Sequence, residues 1–270
     1  MPALQDRASG HNGRGAFGRR ALEPLGRLFA LPLILAALIM AEPARAGDIA
    51  LLEPLGFSEA GDVFAFQQSG VEDGSGFPYA EIFFLDLKSD RFLEPSPIRV
   101  RLNEDGALVA DAVAEARAAA ADLLTRTMPD KRNGHVVLDN PPTDLSSDGK
   151  AARFVARPVL PPIDEPVELR LETFPLEGPE ICQDIGRPVM GYRIVKLALE
   201  PGQKASVLHE DTAIPTSRGC PLDYAIRQVR VYEKPGGGFA AVSLIAVQSH
   251  GFEGPDIRYI ANPVPMPTTP

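Results

Sequence analysis

Strand-forming alternation is clearest in Val167-Glu-Leu-Arg-Leu-Glu-Thr173, where apolar and charged side chains take turns over seven residues. Because successive side chains of a strand point to opposite faces, this period of two predicts a strand with one buried and one solvated face. The run Ala240-Ala-Val-Ser-Leu-Ile-Ala-Val247 is apolar on both faces and predicts a central strand. Similar patterns predict strands at 63–67, 80–87, 98–102, 135–138, 153–159, 192–199, 205–209, 224–232, 239–248 and 257–260.

One stretch has a helical period instead. Residues 107–127 (ALVADAVAEARAAAADLLTRT) are rich in Ala and contain neither Gly nor Pro. The apolar side chains of one amphipathic helix would be Val109, Ala112, Val113, Ala116, Ala120, Leu123 and Leu124. Together with 27 prolines and 24 glycines, which favour short elements, these patterns predict a mainly β fold. The antiparallel sheets would be sandwich-like or partially propeller-like, with one helix packed against them.

The N-terminus has the organisation of a secretory signal peptide. Several arginines precede an apolar run at 28–40 (LFALPLILAALIM), and Ala44-Arg-Ala46 follows it as a cleavage pattern before Gly47. A helix of this run spans roughly 20 Å, less than the roughly 30 Å of a bilayer core, so an uncleaved anchor is the weaker alternative. The flanks of Arg19-Arg20 fit a twin-arginine signal poorly, which favours Sec-type export. We therefore expect a signal peptide over 1–46, a periplasmic or secreted location, and no stable membrane span after cleavage.

Charge argues against nucleic acid as a partner. The formal net charge of the chain is −9. The leader holds six Arg and three acidic residues, so the remainder carries 21 basic and 33 acidic residues, a net charge of −12. An acidic domain gains nothing from counterion release on a phosphate backbone. This charge suits solubility or cation binding.

The two cysteines, Cys182 and Cys220, both lie in the exported part. Two thiols in an oxidising compartment predict one structural disulfide. A redox-active or nucleophilic cysteine is the alternative, but nothing in the sequence places a base such as His209 beside either sulfur. We expect a single β-rich domain over 47–262 and an extended, Pro-rich tail over 263–270.

Two segments, 57–87 and 238–260, resemble each other. Each has an apolar strand, a Gln-Ser pair, a loop of Gly, acidic and Pro residues, and a second strand with aromatic residues. They predict two hairpins with wide loops, either a pseudo-repeat or a chance similarity. If the hairpins lie side by side, one binding surface would be lined by Glu72, Asp73, Tyr79, Glu81, His250 and Glu253.

A family resemblance rests on three strings. They are Gly70-Val-Glu-Asp-Gly-Ser-Gly-Phe-Pro-Tyr-Ala-Glu81, Pro97-Ile-Arg-Val-Arg101 and Ser217-Arg-Gly-Cys-Pro221. With the Ala-rich helix between them, they resemble a family of predicted secreted bacterial proteins classed as a domain of unknown function. The resemblance implies export and carries no activity, cofactor or catalytic residue. The segment 57–87 also resembles one blade of a TolB-type β-propeller, but a whole propeller needs four to eight blades.

Few sequence motifs indicate catalysis, metal binding or nucleotide binding. Glu72, Asp73, Ser75 and Glu81 offer oxygen ligands for Ca²⁺, although their spacing is not that of an EF-hand and suits a plain turn. No G-x-S-x-G elbow occurs, and a Ser/His/Asp triad with His209 or His250 would have to assemble in space. The histidines lack metal-ligand spacing, and no phosphate- or dinucleotide-binding loop is present.

These observations favour a non-enzymatic binding or interaction module outside the cytoplasm, without a cofactor. Its partner would be a periplasmic protein or a small ligand. Two alternatives remain open at this point. One is a periplasmic hydrolase acting on envelope sugars or peptides, and the other is a structural protein stabilised by calcium.

Overall fold

The computed structural model of the chain describes residues 47–200 and 202–267. The predicted signal peptide, including Ala44 and Ala46, lies outside the described residues. The described chain is mainly β with antiparallel sheets, as predicted, and the sheets are three in number. None of its described helices is long and apolar enough to cross a membrane.

The first sheet, called the N-terminal sheet, contains β1 (Leu51–Phe57), β2 (Val63–Val71), β3 (Pro78–Asp86), β4 (Arg91–Phe92) and β5 (Ile98–Arg101). Its first three strands pair in chain order, and β4 and β5 both pair with β3. The central sheet contains β6 (His135–Asp139), β11 (Pro221–Glu233), β12 (Phe239–His250) and β13 (Pro255–Pro263), in the order β13-β12-β11-β6. The distal sheet contains β7 (Ala151–Phe154), β8 (Val167–Leu176), β9 (Val189–Lys196) and β10 (Ser206–Glu210), in the order β10-β9-β8-β7.

The central sheet is buried on both faces. On β12, Val242 and Leu244 pack against the N-terminal sheet, in a cluster with the phenylalanines of β2. The alternate residues Ile245 and Val247 pack against the distal sheet. The central strand predicted from the doubly apolar run is therefore confirmed. The stacked sheets correspond to the sandwich-like alternative, since three described sheets are fewer than the blades of a propeller.

Two short helices, α1 (Val109–Ala119) and α2 (Ala121–Thr127), cover the outer face of the N-terminal sheet. The predicted apolar stripe is correct, because Ala112, Ala116 and Leu123 are all buried against that sheet. The predicted helix is present but is divided into two at Ala120. At Ala120 the backbone has φ −86° and ψ −1°, away from the α-helical ψ near −42°. Backbone hydrogen bonds continue on both sides of this residue, from Ala120 to Ala116 and from Leu124 to Ala120, and Leu123 stays in the core.

All eleven predicted strands occur, with different ends. The segment predicted at 153–159 stops at Phe154, because the backbone N–H of Arg157 donates to Asp164 Oδ2 at 2.9 Å in a loop. The sequence pattern missed β1 and the two-residue β4. In β1, a bulge between Pro54 and Gly56 interrupts the alternation.

The predicted disulfide is present. Cys182 and Cys220 are bonded, and they pack with Val189 and Ile214. The Pro-rich tail begins inside the fold rather than beyond it. Val264 is buried, and its N–H donates to the carbonyl of Ala241 at 2.9 Å.

Candidate functional site

A cleft of about 520 Å³ lies where the edges of the three sheets meet. The N-terminal sheet supplies side chains from β3, β4 and β5, and the distal sheet supplies Tyr192 and His209. The edge strand β13 contributes residues 258–262, and the 3-10 segment Thr216–Arg218 contributes Ser217 and Arg218. Sheets that are distant in sequence therefore build one concave site, which is called the cleft below.

Arginine dominates the charged lining of the cleft. The four arginines in the lining are Arg91, Arg99, Arg218 and Arg258. The carboxylates in the lining are Glu81 and Asp90. Two further carboxylates just outside the lining, those of Asp48 and Asp211, pair with Arg258 and Arg218 at 2.6 Å. The lining therefore presents guanidinium N–H donors, some of which are already engaged by carboxylates.

A smaller cavity of about 220 Å³, called the side cavity, adjoins the cleft. Glu72, Tyr79 and Arg101 are part of its lining and do not line the cleft. Glu81, Arg99 and Arg258 line both spaces. The two spaces are therefore neighbouring parts of one basic surface along β3, β5 and β13.

A network of polar and charged side chains crosses the distal side of the cleft. Arg218 Nη1 donates to Asp211 Oδ2 at 2.6 Å, and His209 Nε2 lies 2.9 Å from Asp211 Oδ1. The backbone N–H of Tyr192 also donates to Asp211 Oδ2, at 3.0 Å. Burial alone would raise the pKa of Asp211, but the contacts with His209, Arg218 and this N–H together hold it below its usual value. Asp211 therefore stays ionised and anchors both basic side chains.

Asp90, from the N-terminal sheet, contacts this network through His209. Its Oδ2 lies 4.0 Å from His209 Nδ1. Asp90 is in the turn between β3 and β4 and has a positive φ of 53°. Desolvation by burial raises the pKa of its carboxyl group, and the nearby His209 only partly opposes this. The turn therefore carries a partly desolvated carboxyl group to the wall of the cleft.

Tyr192 forms the buried base of the distal wall. Its hydroxyl donates to Asn262 Oδ1 at 2.8 Å, and its ring stacks on His209 with centroids 4.6 Å apart. Burial raises the pKa of the Tyr192 hydroxyl, so the phenol is neutral at physiological pH. The hydrogen bond from Tyr192 to Asn262 fixes the distal wall relative to β13.

The six residues predicted to form one binding surface are only partly brought together. Glu72, Tyr79 and Glu81 line the side cavity. The two hairpin loops do meet, since the N–H of Glu253 donates to Asp73 Oδ2 at 2.6 Å. His250 lies at the exposed end of β12 and lines neither the cleft nor the side cavity.

The sequence patterns missed the arginines of the cleft. The alternation in Pro97-Ile-Arg-Val-Arg101 places Arg99 and Arg101 on one face of a strand, which is a signal available in the sequence. Arg218 lies two residues before the bonded Cys220, which holds its segment beside the cleft. Arg258 is the only charged residue in the predicted strand 257–260, so no alternation of charged residues marked it. Only packing shows that these side chains share one site.

The candidate catalytic histidine and the candidate calcium ligands contact charged side chains of the protein itself. Both ring nitrogens of His209 face carboxylates, Asp90 and Asp211, rather than a serine hydroxyl. Among the candidate calcium ligands, Glu72 pairs with Arg101, and Glu81 on β3 pairs with Arg99 on β5. Within residues 47–200 and 202–267, no three His, Cys, Asp or Glu side chains are grouped to hold a metal ion. The hydrolase and calcium hypotheses stay predictions without a structural observation in their favour.

Comparison with known proteins gives a family and no function. No curated protein and no solved structure matches the chain. A family described as "Predicted secreted protein (DUF2259)", whose function is unknown, matches residues 65–265, about three quarters of the chain. The match covers strands of all three sheets, both helices, the disulfide and the whole lining of the cleft. The chain therefore belongs to the predicted secreted protein family DUF2259.

Proposed function

We propose that this protein is a non-enzymatic, secreted binding protein whose cleft takes a small anionic ligand. The observation that carries the proposal is the set of arginines that line the cleft. Four arginines line it against two carboxylates. Its volume of about 520 Å³ falls within the range of about 300–1,000 Å³ that is usual for small-molecule sites.

Two of these arginines, Arg218 and Arg258, are held by carboxylates outside the lining, and Arg99 is held by Glu81 within it. Arg99 Nε pairs with Glu81 at 2.7 Å, Arg218 Nη1 with Asp211 at 2.6 Å, and Arg258 Nη2 with Asp48 at 2.6 Å. Each guanidinium has five N–H donors, and these pairs engage only some of them. A guanidinium fixed on one side offers its other donors to a carboxylate or phosphate with little further loss of side-chain entropy. The cleft is therefore preorganised for an anion.

The same proposal includes the route out of the cytoplasm. Membership of a predicted secreted family supports export. We propose a Sec-type signal peptide over 1–46, cleaved between Ala46 and Gly47, and a periplasmic location. Intact mass of the protein recovered from the periplasm of an expression host tests this. A mass for residues 47–270 is expected, and a full-length mass in the membrane fraction would contradict it.

The binding proposal is tested with ligands of one shape and different charge. Purified protein is melted with galacturonate, galactose or galactosamine, and with inorganic phosphate. At 100 times its dissociation constant a ligand adds about 2.7 kcal/mol of stability, which raises the melting temperature by several degrees. We expect this rise with galacturonate or phosphate and no rise with the neutral or cationic sugar. Equal shifts with galactosamine, or no shift with either anion, would refute the proposal.

A matched pair of variants locates the site. Arg99→Gln removes a charge from the cleft, whereas Arg126→Gln removes a charge paired with Asp122 on α2, on the far side of the N-terminal sheet. Both arginines are exposed and ion-paired, so both variants should fold. Loss of anion binding in the first variant only would place binding in the cleft. Equal loss in both would mean that the net charge, and not the cleft, governs binding.

A further inference from the structure

We propose that the ligand is a linear oligo-anion which extends from the cleft into the side cavity, where Arg101 binds its next acidic group. This inference rests on the proposed function, because it extends the ligand that the cleft receives. It adds a second anion subsite and a chemical class, namely an oligomer with acidic groups on successive units.

Continuity of the surface is the first support. Glu81, Arg99 and Arg258 belong to the lining of both the cleft and the side cavity. A ligand that contacts Arg99 in the cleft is therefore next to the side cavity. The side cavity, at about 220 Å³, has less than half the volume of the cleft, which suits one further unit of a chain.

The second support is the spacing of two arginines on one strand. Arg99 and Arg101 are separated by one residue on β5, so they point to the same face, about 7 Å apart along the strand. Arg99 is held by Glu81 and Arg101 by Glu72, so the two guanidinium groups are fixed at different carboxylates rather than at one. Their spacing suits acidic groups carried by neighbouring units of a chain.

The third support is the way in which these arginines are fixed. Arg101 Nε pairs with Glu72 Oε2 at 2.6 Å, and its guanidinium lies 4.8 Å from the ring centroid of Phe77. In the described residues, the arginines that lie over aromatic rings are Arg99, Arg101, Arg157, Arg218 and Arg258. All of these except Arg157 line the cleft or the side cavity. Stacking and ion pairing together form a row of rigid cationic groups along one surface.

The same arrangement argues against single-stranded nucleic acid as the oligo-anion. Proteins that bind single strands present open aromatic faces on which bases stack. Here guanidinium groups already lie over Phe77 and Tyr79, at 4.8 and 4.4 Å from the ring centroids. An acidic oligosaccharide or a polyphosphate carries its acidic groups on a polar backbone. Such an oligomer does not need open aromatic faces.

Calorimetric titration of the purified protein at constant ionic strength tests the inference. The probes are galacturonate and trigalacturonate for carboxylates, and phosphate and tripolyphosphate for phosphates. We expect at least one trimer to bind ten times more tightly than its monomer. In Arg101→Gln this ratio should fall below three, whereas Arg126→Gln should keep it. A gain with trigalacturonate alone identifies an acidic oligosaccharide, and a gain with tripolyphosphate alone identifies a phosphate chain.

The outcomes separate this inference from the proposed function. Anion binding in which monomer and trimer have equal affinity would overturn the second subsite and leave the anion-binding cleft intact. A trimer gain that persists in Arg101→Gln would also overturn it. Absence of binding by all four anions would overturn both proposals. Arg101 is 43% exposed, so an unchanged melting temperature of the variant is expected and confirms that it folds.

Discussion

Glu81 and Arg99 lie directly opposite each other on β3 and β5, with Arg99 Nε 2.7 Å from Glu81 Oε1. Both side chains line the cleft and the side cavity. The other carboxylate oxygen of Glu81 accepts a hydrogen bond from Gln68 Nε2 at 2.6 Å. This carboxylate therefore occupies the position next to Arg99 that a bound anion would share, and the pair sets the local charge of the site.

Replacing this carboxylate by an amide should strengthen anion binding. Glu81→Gln keeps the shape of the side chain and removes the negative charge that competes for Arg99. Since a partly exposed pair is worth at most about 1 kcal/mol, we expect affinity for galacturonate or phosphate to rise up to about fivefold. Titration calorimetry measures this. Glu53→Gln, at an exposed pair with Arg117, is the control and should leave the affinity unchanged. A weaker affinity in Glu81→Gln would contradict the proposed site.

Asp90→Asn should stabilise the protein at neutral pH. Burial raises the folded-state pKa of Asp90, so its ionised form opposes folding. The favourable contribution of this group is complete below the unfolded-state pKa of about 3.9 and is lost as the pH rises through the folded-state pKa. Asn also tolerates the positive φ at this position. Denaturation at pH 7 should show a gain in the free energy of unfolding, which disappears near pH 3.

Asp86, four residues earlier in the same turn, provides the opposite case. Hydrogen bonds from the backbone and side chain of Ser89 lower the pKa of Asp86. Its contribution to stability is therefore present above the unfolded-state pKa and is lost as the pH falls through the folded-state value. Asp86→Asn should destabilise the protein at pH 7 and have little effect near pH 3. Effects of the same sign in both variants would show that burial of Asp90 does not control its ionisation.

The disulfide should contribute strongly to stability. Cys182 and Cys220 are 38 residues apart, and closing a loop of this length in the unfolded chain is worth about 4 kcal/mol. Chemical denaturation with and without reductant measures the loss, with the Cys182→Ser/Cys220→Ser double variant as the control for the reductant. A loss under about 1 kcal/mol would mean that the loop is already constrained in the unfolded state.

Packing between the helices and the N-terminal sheet leaves no room at Ala116. This residue is fully buried against the sheet, whereas Ala118 on the same helix is exposed. Ala116→Leu should therefore cost about 1–3 kcal/mol through overpacking, and Ala118→Leu should be nearly neutral. Thermal denaturation of the two variants compares them directly. Equal melting temperatures would place the helix away from the sheet.

Much of the fold was predictable because burial alternates along the chain. The pattern in Val167–Thr173 marks β8, and the run Ala240–Val247 marks a strand covered on both sides. Where backbone geometry overrides side-chain pattern, prediction failed. In β1, Gly56 has a φ of 122°, and a Cβ there would lie 2.2 Å from the carbonyl oxygen of Pro129. This close approach requires glycine at position 56. The bulge there breaks the alternation of apolar and polar residues, so the sequence pattern did not reveal β1.

The candidate site was less predictable than the fold. Glu72, Tyr79 and Glu81 were predicted because they lie near a recognisable loop, and the structure places them in the lining of the side cavity. The cleft itself was not foreseen. Its walls come from segments near residues 90, 209 and 258. These segments are far apart in sequence, and periodicity within one segment does not show that it meets another.

The sequence by itself determined the class of fold, the pairing of Cys182 with Cys220, and the acidic character of the chain. These properties depend on local periodicity, on the presence of two cysteines, and on composition. Only the tertiary structure decided that Arg99, Arg218 and Arg258 meet at one cleft, and that His209 lies between two carboxylates. The physical reason is that long-range sheet packing sets these distances, while the sequence pattern of each strand records only which face is buried.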